Sequence, residues 1–320
     1  MRAPDWWGRR GAAATLLRPL GALYAAGAIL RRTATRPWRA PIPVLCIGNL
    51  TLGGTGKTPV TIDLAERLAD RRPHVVTRGY GGRLHGPVAV DRQAHSAADV
   101  GDEPLLLARA APTWVARDRP AGGRAAVAAG AGLLLLDDGF QNPTVAKDLS
   151  FVVVDGESGF GNGLVFPAGP LREPVASGLA RADALVVMGE DRRGVAAGVA
   201  LPVLHARLVP RMPLGFVPRA PLWAFAGIGR PEKLFRTLED LGADLRGRRG
   251  FPDHYFFREE DLLRLEREAG AAGARLVTTE KDAVRLPADW RGRVAVLRVA
   301  VEWADPAALR GLLDRLAAGR

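Results

Sequence analysis

From residue 43 onward, short aliphatic runs alternate with stretches of helical period. Runs at 44–47, 74–77, 113–116, 133–136, 151–154 and 184–188 are apolar at nearly every position. Such runs mark strands covered on both faces, as parallel strands are. Helix-period stretches lie between some of them, for example at 60–69. The alternation predicts an α/β fold, a parallel sheet layered with helices. Positions 210–221 contain four prolines and read as a linker or an extended connection. The pattern then restarts, with a run at 222–226, helices at 231–241 and 258–269, strands at 275–278 and 294–299, and a last helix from 306. A second, smaller α/β domain is therefore expected. The boundaries are 1–40 for an N-terminal segment, 41–210 for the first domain and 221–320 for the second.

Residues 11–30 are almost wholly apolar. A transmembrane helix needs about 20 such residues, but Arg18 and Pro19 interrupt this stretch. A signal peptide fits superficially, yet export would separate a nucleotide-dependent site from its nucleotide. An amphipathic helix lying on a membrane fits better. Leu16, Leu17, Leu20, Leu23, Tyr24 and Gly27 share a helical face, Trp6, Trp7 and Trp38 flank it, and arginines lie at both ends. The plain alternative is a helix packed on the protein's own core.

Charge sharpens that picture. The net charge is +11, and residues 1–40 hold eight arginines (Arg2, Arg9, Arg10, Arg18, Arg31, Arg32, Arg36 and Arg39) against Asp5 alone. The basicity is a local device, suited to anionic lipid or nucleic acid. No nucleic-acid motif accompanies it. The single cysteine, Cys46, excludes an intramolecular disulfide and sits in an apolar run as a small core residue.

The chemistry starts where the first run ends. Gly53-Gly54-Thr55-Gly56-Lys57-Thr58 follows an apolar strand, and a helix follows with Pro59 in its first turn. This is the context of a phosphate-binding P-loop. Glycines let backbone N–H groups turn onto phosphate oxygens, and the helix N-terminus adds its positive dipole end. Lys57 is expected to reach the β- and γ-phosphates and the Thr58 hydroxyl to ligate Mg²⁺. Nucleotide contact is expected along the whole loop from Thr51 and Leu52 through Thr58. The strict pattern has glycine where Thr51 stands. The run at 133–136 leads into Asp137 and Asp138, an aliphatic strand ending in metal-supporting acids. Asp102 and Glu103 open a further helix, where acids also serve as dipole partners. A lone histidine such as His254 is more often structural than catalytic.

Taken in order, GNLTLGGTGKTP, TRGYGG, GDEPLLLA, LDDGFQN, FGNG with PAGPLREP, AFAGIGRPEKLF, FPDHY and VTTEKDAVRL resemble the tetraacyldisaccharide 4'-kinase family, the lipid A 4'-kinases. The resemblance spans residues 48–286. It implies two α/β domains with the site between them, and transfer of the γ-phosphate of ATP to the 4'-hydroxyl of a tetraacylated disaccharide 1-phosphate. It implies Asp102 as general base assisted by His254, with Lys57 and Thr58 on nucleotide and Mg²⁺. Glu103, Asp137 and Asp138 support the metal. Arg172 stabilises phosphate charge or binds the lipid's 1-phosphate, and Tyr80 lines the nucleotide site. It further implies a monomer bound peripherally to the cytoplasmic face of the bacterial inner membrane, with a glycolipid substrate and no nucleic-acid partner. The family's D-D-G-F-Q-H reads here with Asn142 in place of the histidine, and an amide cannot ionise. The rival functions are a membrane-recruited P-loop ATPase, acting as a switch or chaperone without a lipid acceptor, and a nucleic-acid binder using the basic N-terminus.

Overall fold

The computed structural model describes residues 4–9, 11–211 and 220–318. Arg2, Arg10 and positions 212–219 of the expected linker lie outside the described residues. The chain opens with helix α1 (Ala12–Ala34) and then enters the sheet. The first elements are β1 (Val44–Gly48), α2 (Lys57–Arg67), β2 (Pro73–Thr77), β3 (Val88–Ala89), α3 (Ala97–Val100) and α4 (Asp102–Leu107). There follow β4 (Thr113–Val115), α5 (Arg119–Ala128), β5 (Leu133–Asp137), β6 (Leu149–Asp155), α6 (Val175–Leu179) and β7 (Ala184–Met188). Next come β8 (Val203–Arg211), β9 (Pro221–Ala226), α7 (Pro231–Asp240), β10 (Asp244–Gly250) and α8 (Glu259–Ala271). The chain ends with β11 (Arg275–Thr279), α9 (Glu280–Ala283), β12 (Ala295–Trp303) and α10 (Pro306–Ala318).

Among the described residues, twelve strands join one sheet in the order β10-β9-β11-β12-β8-β7-β6-β1-β5-β2-β4-β3. Strands β1, β2, β5 and β7 are buried at every residue, which explains their unbroken aliphatic sequences. Alternate residues feed two cores. Leu45, Ile47, Leu133 and Leu135 pack with Val60 and Leu64 of α2. Val44, Cys46, Leu134 and Leu136 pack on the other face.

Three strands went unread in the sequence: the two-residue β3, β8 and β10. β8 occupies 203–211, so the expected linker begins inside a strand. β10 reads DLRGRRG and forms the sheet's outer edge, where charge is tolerated because one side faces solvent. β12 unites the sheet. Its first residues pair parallel with β11, and Arg298–Trp303 pair antiparallel with β8. α10 then returns to the first core, burying Leu309, Leu312, Leu313 and Leu316 there.

Helix α1 is long and apolar enough to cross a membrane by length and composition. Its small residues Ala14, Gly21 and Ala25 face the protein. A Cβ on Gly21 would lie 2.8 Å from the Val165 carbonyl oxygen, so only glycine allows this approach. Leu16, Leu20, Leu23, Ile29 and Leu30 are exposed. Tyr24 and Trp7 meet Phe166 edge-on, at 5.7 and 6.2 Å between centroids. Trp38 differs from the expectation of a flanking interfacial ring. It packs on the second core, with Gly123 against its ring and Arg124 over its face.

Candidate active site

Register in the sheet assembles the site. Ile47 of β1 pairs with Asp137 of β5, so the carboxylates at the end of β5 sit beside the loop that leaves β1. Thr77 ends β2 on the far side of β5, and its hydroxyl faces Asp137. Ligands of open α/β sheets bind beyond these carboxyl ends.

The loop turns through Gly53 (φ 120°) and Gly56 (φ 91°), backbone conformations that an L-residue rarely adopts. Gly56 caps α2 without a side-chain hydrogen bond, so the first-turn N–H groups keep donors for an anion. Buried Asn49 braces the loop from below, its Nδ2 donating to Thr55 Oγ1 at 3.3 Å. A second strap comes from 164–173. Leu52 N–H donates to the Pro170 carbonyl at 2.7 Å, Thr51 bridges Leu171, and Arg172 N–H donates to the Leu50 carbonyl at 2.7 Å.

Asp137 is fully buried, accepting hydrogen bonds from Thr61 Oγ1 at 2.9 Å and Thr77 Oγ1 at 3.4 Å. Burial, followed by the carboxylates of Glu103 and Asp138, pushes its pKa up to about 7. Asp138, the next residue, has φ 50° and a partly exposed side chain. Arg172 Nη1 donates to both its oxygens at 3.0 Å, and Lys57 Nζ lies 3.8 Å away. Burial would raise its pKa, but Lys57 and Arg172 outweigh that and hold it below the usual carboxylate range.

Asp102 starts α4, which packs on α2. Its Oδ1 accepts from Glu103 N–H at 2.9 Å. Its Oδ2 lies 3.1 Å from Nδ1 of His254. Burial would raise the Asp102 pKa, but His254, Lys281 and Arg285 bring it down. The His254 pKa is raised, first by the hydrogen bond its ring donates to Asp102. Lys281 Nζ lies 3.5 Å from Glu103 Oε1, a second contact between α4 and the C-terminal segment.

The expected residues thus fall into two linked groups: Lys57, Asp137, Asp138 and Arg172 at the loop, and Asp102, Glu103 and His254 beside it. Tyr80 stands apart. The residue is 79% exposed, and its backbone carbonyl lies beside Gly101 at the start of α4. Three residues went unassigned in the sequence. Gln141 Nε2 donates to the Asn49 carbonyl at 2.7 Å and to Glu173 Oε1 at 3.1 Å. Lys281 and Arg285 reach Glu103 and Asp102. Each had a signal: Gln141 stands three residues after Asp138, and Lys281 and Arg285 lie in the VTTEKDAVRL segment. Asn142 is a local brace, its Oδ1 accepting from Thr144 N at 2.8 Å and Oγ1 at 2.7 Å.

The donor set fits Mg²⁺. The Thr58 hydroxyl and three carboxylates are hard oxygen donors, and a cation would relieve the repulsion from Glu103 and Asp138 that adds to burial in lifting the Asp137 pKa. Among the described residues no group of three His, Cys, Asp or Glu side chains forms a cage of its own.

A model of the tetraacyldisaccharide-1-P 4'-kinase family matches residues 13–318. The tetraacyldisaccharide 4'-kinase of Rhodospirillum centenum is 55% identical over 332 residues, covering 100% of this chain and 98% of that protein. The enzyme of that name from Paramagnetospirillum magneticum is 54% identical over 323 residues, covering 99% of both chains. The solved structure of LpxK from Aquifex aeolicus in complex with ATP is 27% identical, with a TM-score of 0.77, and covers 95% of this chain and 99% of that one.

Proposed function

The chain belongs to the tetraacyldisaccharide-1-P 4'-kinase family, and from that premise we propose how its residues divide the phosphoryl transfer from ATP to the 4'-hydroxyl of the lipid disaccharide. Lys57 and the N–H groups of 53–58 hold the β- and γ-phosphates. Arg172, poised on Asp138, stabilises charge on the transferring group. Thr58, Glu103, Asp137 and Asp138 would hold Mg²⁺, which would supply charge neutralisation at the phosphates.

The acceptor hydroxyl is a weak nucleophile, and the Asp102–His254 pair takes up its proton as the bond to phosphorus forms. The observation that carries this reading is the 3.1 Å contact between Asp102 and His254, two residues 152 positions apart. Glu103, next to Asp102, lies close enough to the nucleotide loop to perturb Asp137. A proton acceptor and a phosphate cradle therefore share one site.

The exposed leucine face of α1 lies in the inner-membrane surface, on the cytoplasmic side and peripherally, and presents the monomeric enzyme to its glycolipid. Incubation with [γ-³²P]ATP, Mg²⁺ and disaccharide 1-phosphate tests the reading. Label should move to the lipid, and Asp102→Ala should lower turnover by about 100-fold or more with ATP binding intact. ATP hydrolysis indifferent to added glycolipid would instead favour an ATPase without an acceptor.

A further inference from the structure

Arg285 lies just after α9 with a side chain only 1% exposed. Its contacts converge on His254 from several sides. Nη1 donates to the Gly227 carbonyl at 2.9 Å and to the Tyr255 carbonyl at 3.2 Å. The Gly227 carbonyl also accepts the His254 N–H, at 3.0 Å. Nε donates to the Lys281 carbonyl at 2.9 Å and lies 3.7 Å from Oδ2 of Asp102, the oxygen that His254 meets. Nη2 faces Asp282 Oδ1 at 3.3 Å but makes no hydrogen bond among the described residues.

The loop it grips is strained. His254 has φ 58°, a region that non-glycine residues occupy only when their surroundings hold them there. Asp253 Oδ1 and the Gly227 carbonyl supply that hold at the His254 N–H. Arg285 fixes both the Gly227 carbonyl and the next residue along, Tyr255. A guanidinium can do so because its fork aims several donors from one rigid plane.

We propose that Arg285 is a positioning residue for the phosphoryl transfer, clamping the loop that carries His254 and holding it against Asp102. The proposal rests on the reading that Asp102 and His254 take up the acceptor's proton. Arg285 does not touch substrate. It sets the distance and direction of His254, and misplacement of about 1 Å at such a site costs on the order of 100-fold in rate.

A double-mutant cycle on kcat tests it, with full-length protein, ATP, Mg²⁺ and disaccharide 1-phosphate. Arg285→Lys keeps the charge opposite Asp102 and Asp282 but cannot span both carbonyls. It should lower kcat about 10-fold with the ATP KM within about 2-fold. Arg285→Gln should lower kcat further. In a His254→Ala background, either change should cost less than about 2-fold, because the residue being positioned is gone. Equal losses in both backgrounds, a loss confined to the ATP KM, or an unchanged kcat would overturn the proposal. Should one variant melt below the assay temperature, the other carries the cycle. An unchanged kcat in His254→Ala alone would instead sink the underlying reading, so the two failures are distinct.

Discussion

Asp137 and Asp138 are chain neighbours with opposite surroundings. One is sealed against two threonine hydroxyls and pushed up to about pKa 7, the other is turned toward Lys57 and Arg172 and held low. The same contest operates at His254, where the Asp102 hydrogen bond outweighs burial and raises the imidazole pKa. A raised pKa keeps the ring protonated to higher pH. The stability His254 contributes is therefore present below its unfolded-state pKa and lost as pH rises through the folded one, while that of Asp102, whose pKa is lowered, is lost as pH falls. Turnover should accordingly have an acid limb above pH 6.5, the unperturbed value. Asp102→Asn should move the His254 titration downward, as read from its ring protons by NMR, and an unmoved titration would refute the contact. Cys46 gives an independent check. Burial pushes its thiol up to about 11, so it should resist a thiol reagent at pH 8 in the native protein and react on unfolding. Rapid labelling of folded protein would contradict its place in the core.

Among the elements, α1 packs on the protein, as the plainer of the readings that competed in the sequence expected. Its small residues pack on the protein, while Leu16, Leu20, Leu23, Ile29 and Leu30 are left exposed. Soluble helices normally do the reverse, and that inversion is why a lipid surface is the expected neighbour. Replacing Leu16, Leu20 and Leu23 together by serine should reduce co-sedimentation with anionic vesicles about 10-fold or more and leave turnover on detergent-dispersed substrate near wild type. Undiminished binding would place the membrane contact elsewhere. Gly21→Leu should unseat the helix instead, since even a Cβ crowds the Val165 carbonyl. A lower melting temperature would register that. The sheet interior was legible because its strands are unbroken aliphatic runs. β10 was not, because an edge strand of arginine and glycine carries no burial signal.

At the scale of the whole molecule, β12 and α10 tie the last residues of the chain to its first core. Four leucines of α10 are buried there. At roughly 1.5–3 kcal/mol for each buried leucine, their loss would remove roughly 6–12 kcal/mol. Net stability is only about 5–15 kcal/mol. A chain ending at residue 304 should therefore fail to give a cooperative thermal transition in calorimetry. A sharp transition near the full-length temperature would show that α10 is dispensable.

The sequence by itself determined the parallel sheet, the phosphate loop and the acidic end of β5, because each is written in adjacent residues whose pattern follows from local backbone geometry and burial. The resemblance of its ordered segments singled out Asp102 and His254. Tertiary structure decided what adjacency cannot encode. It set the two fates of Asp137 and Asp138, the outward leucines of α1, the return of α10, and the clamp of Arg285 on the His254 loop. Each of these depends on which groups from distant parts of the chain share a small volume with little water. Charge, strain and burial act there through distance in space, not position in sequence.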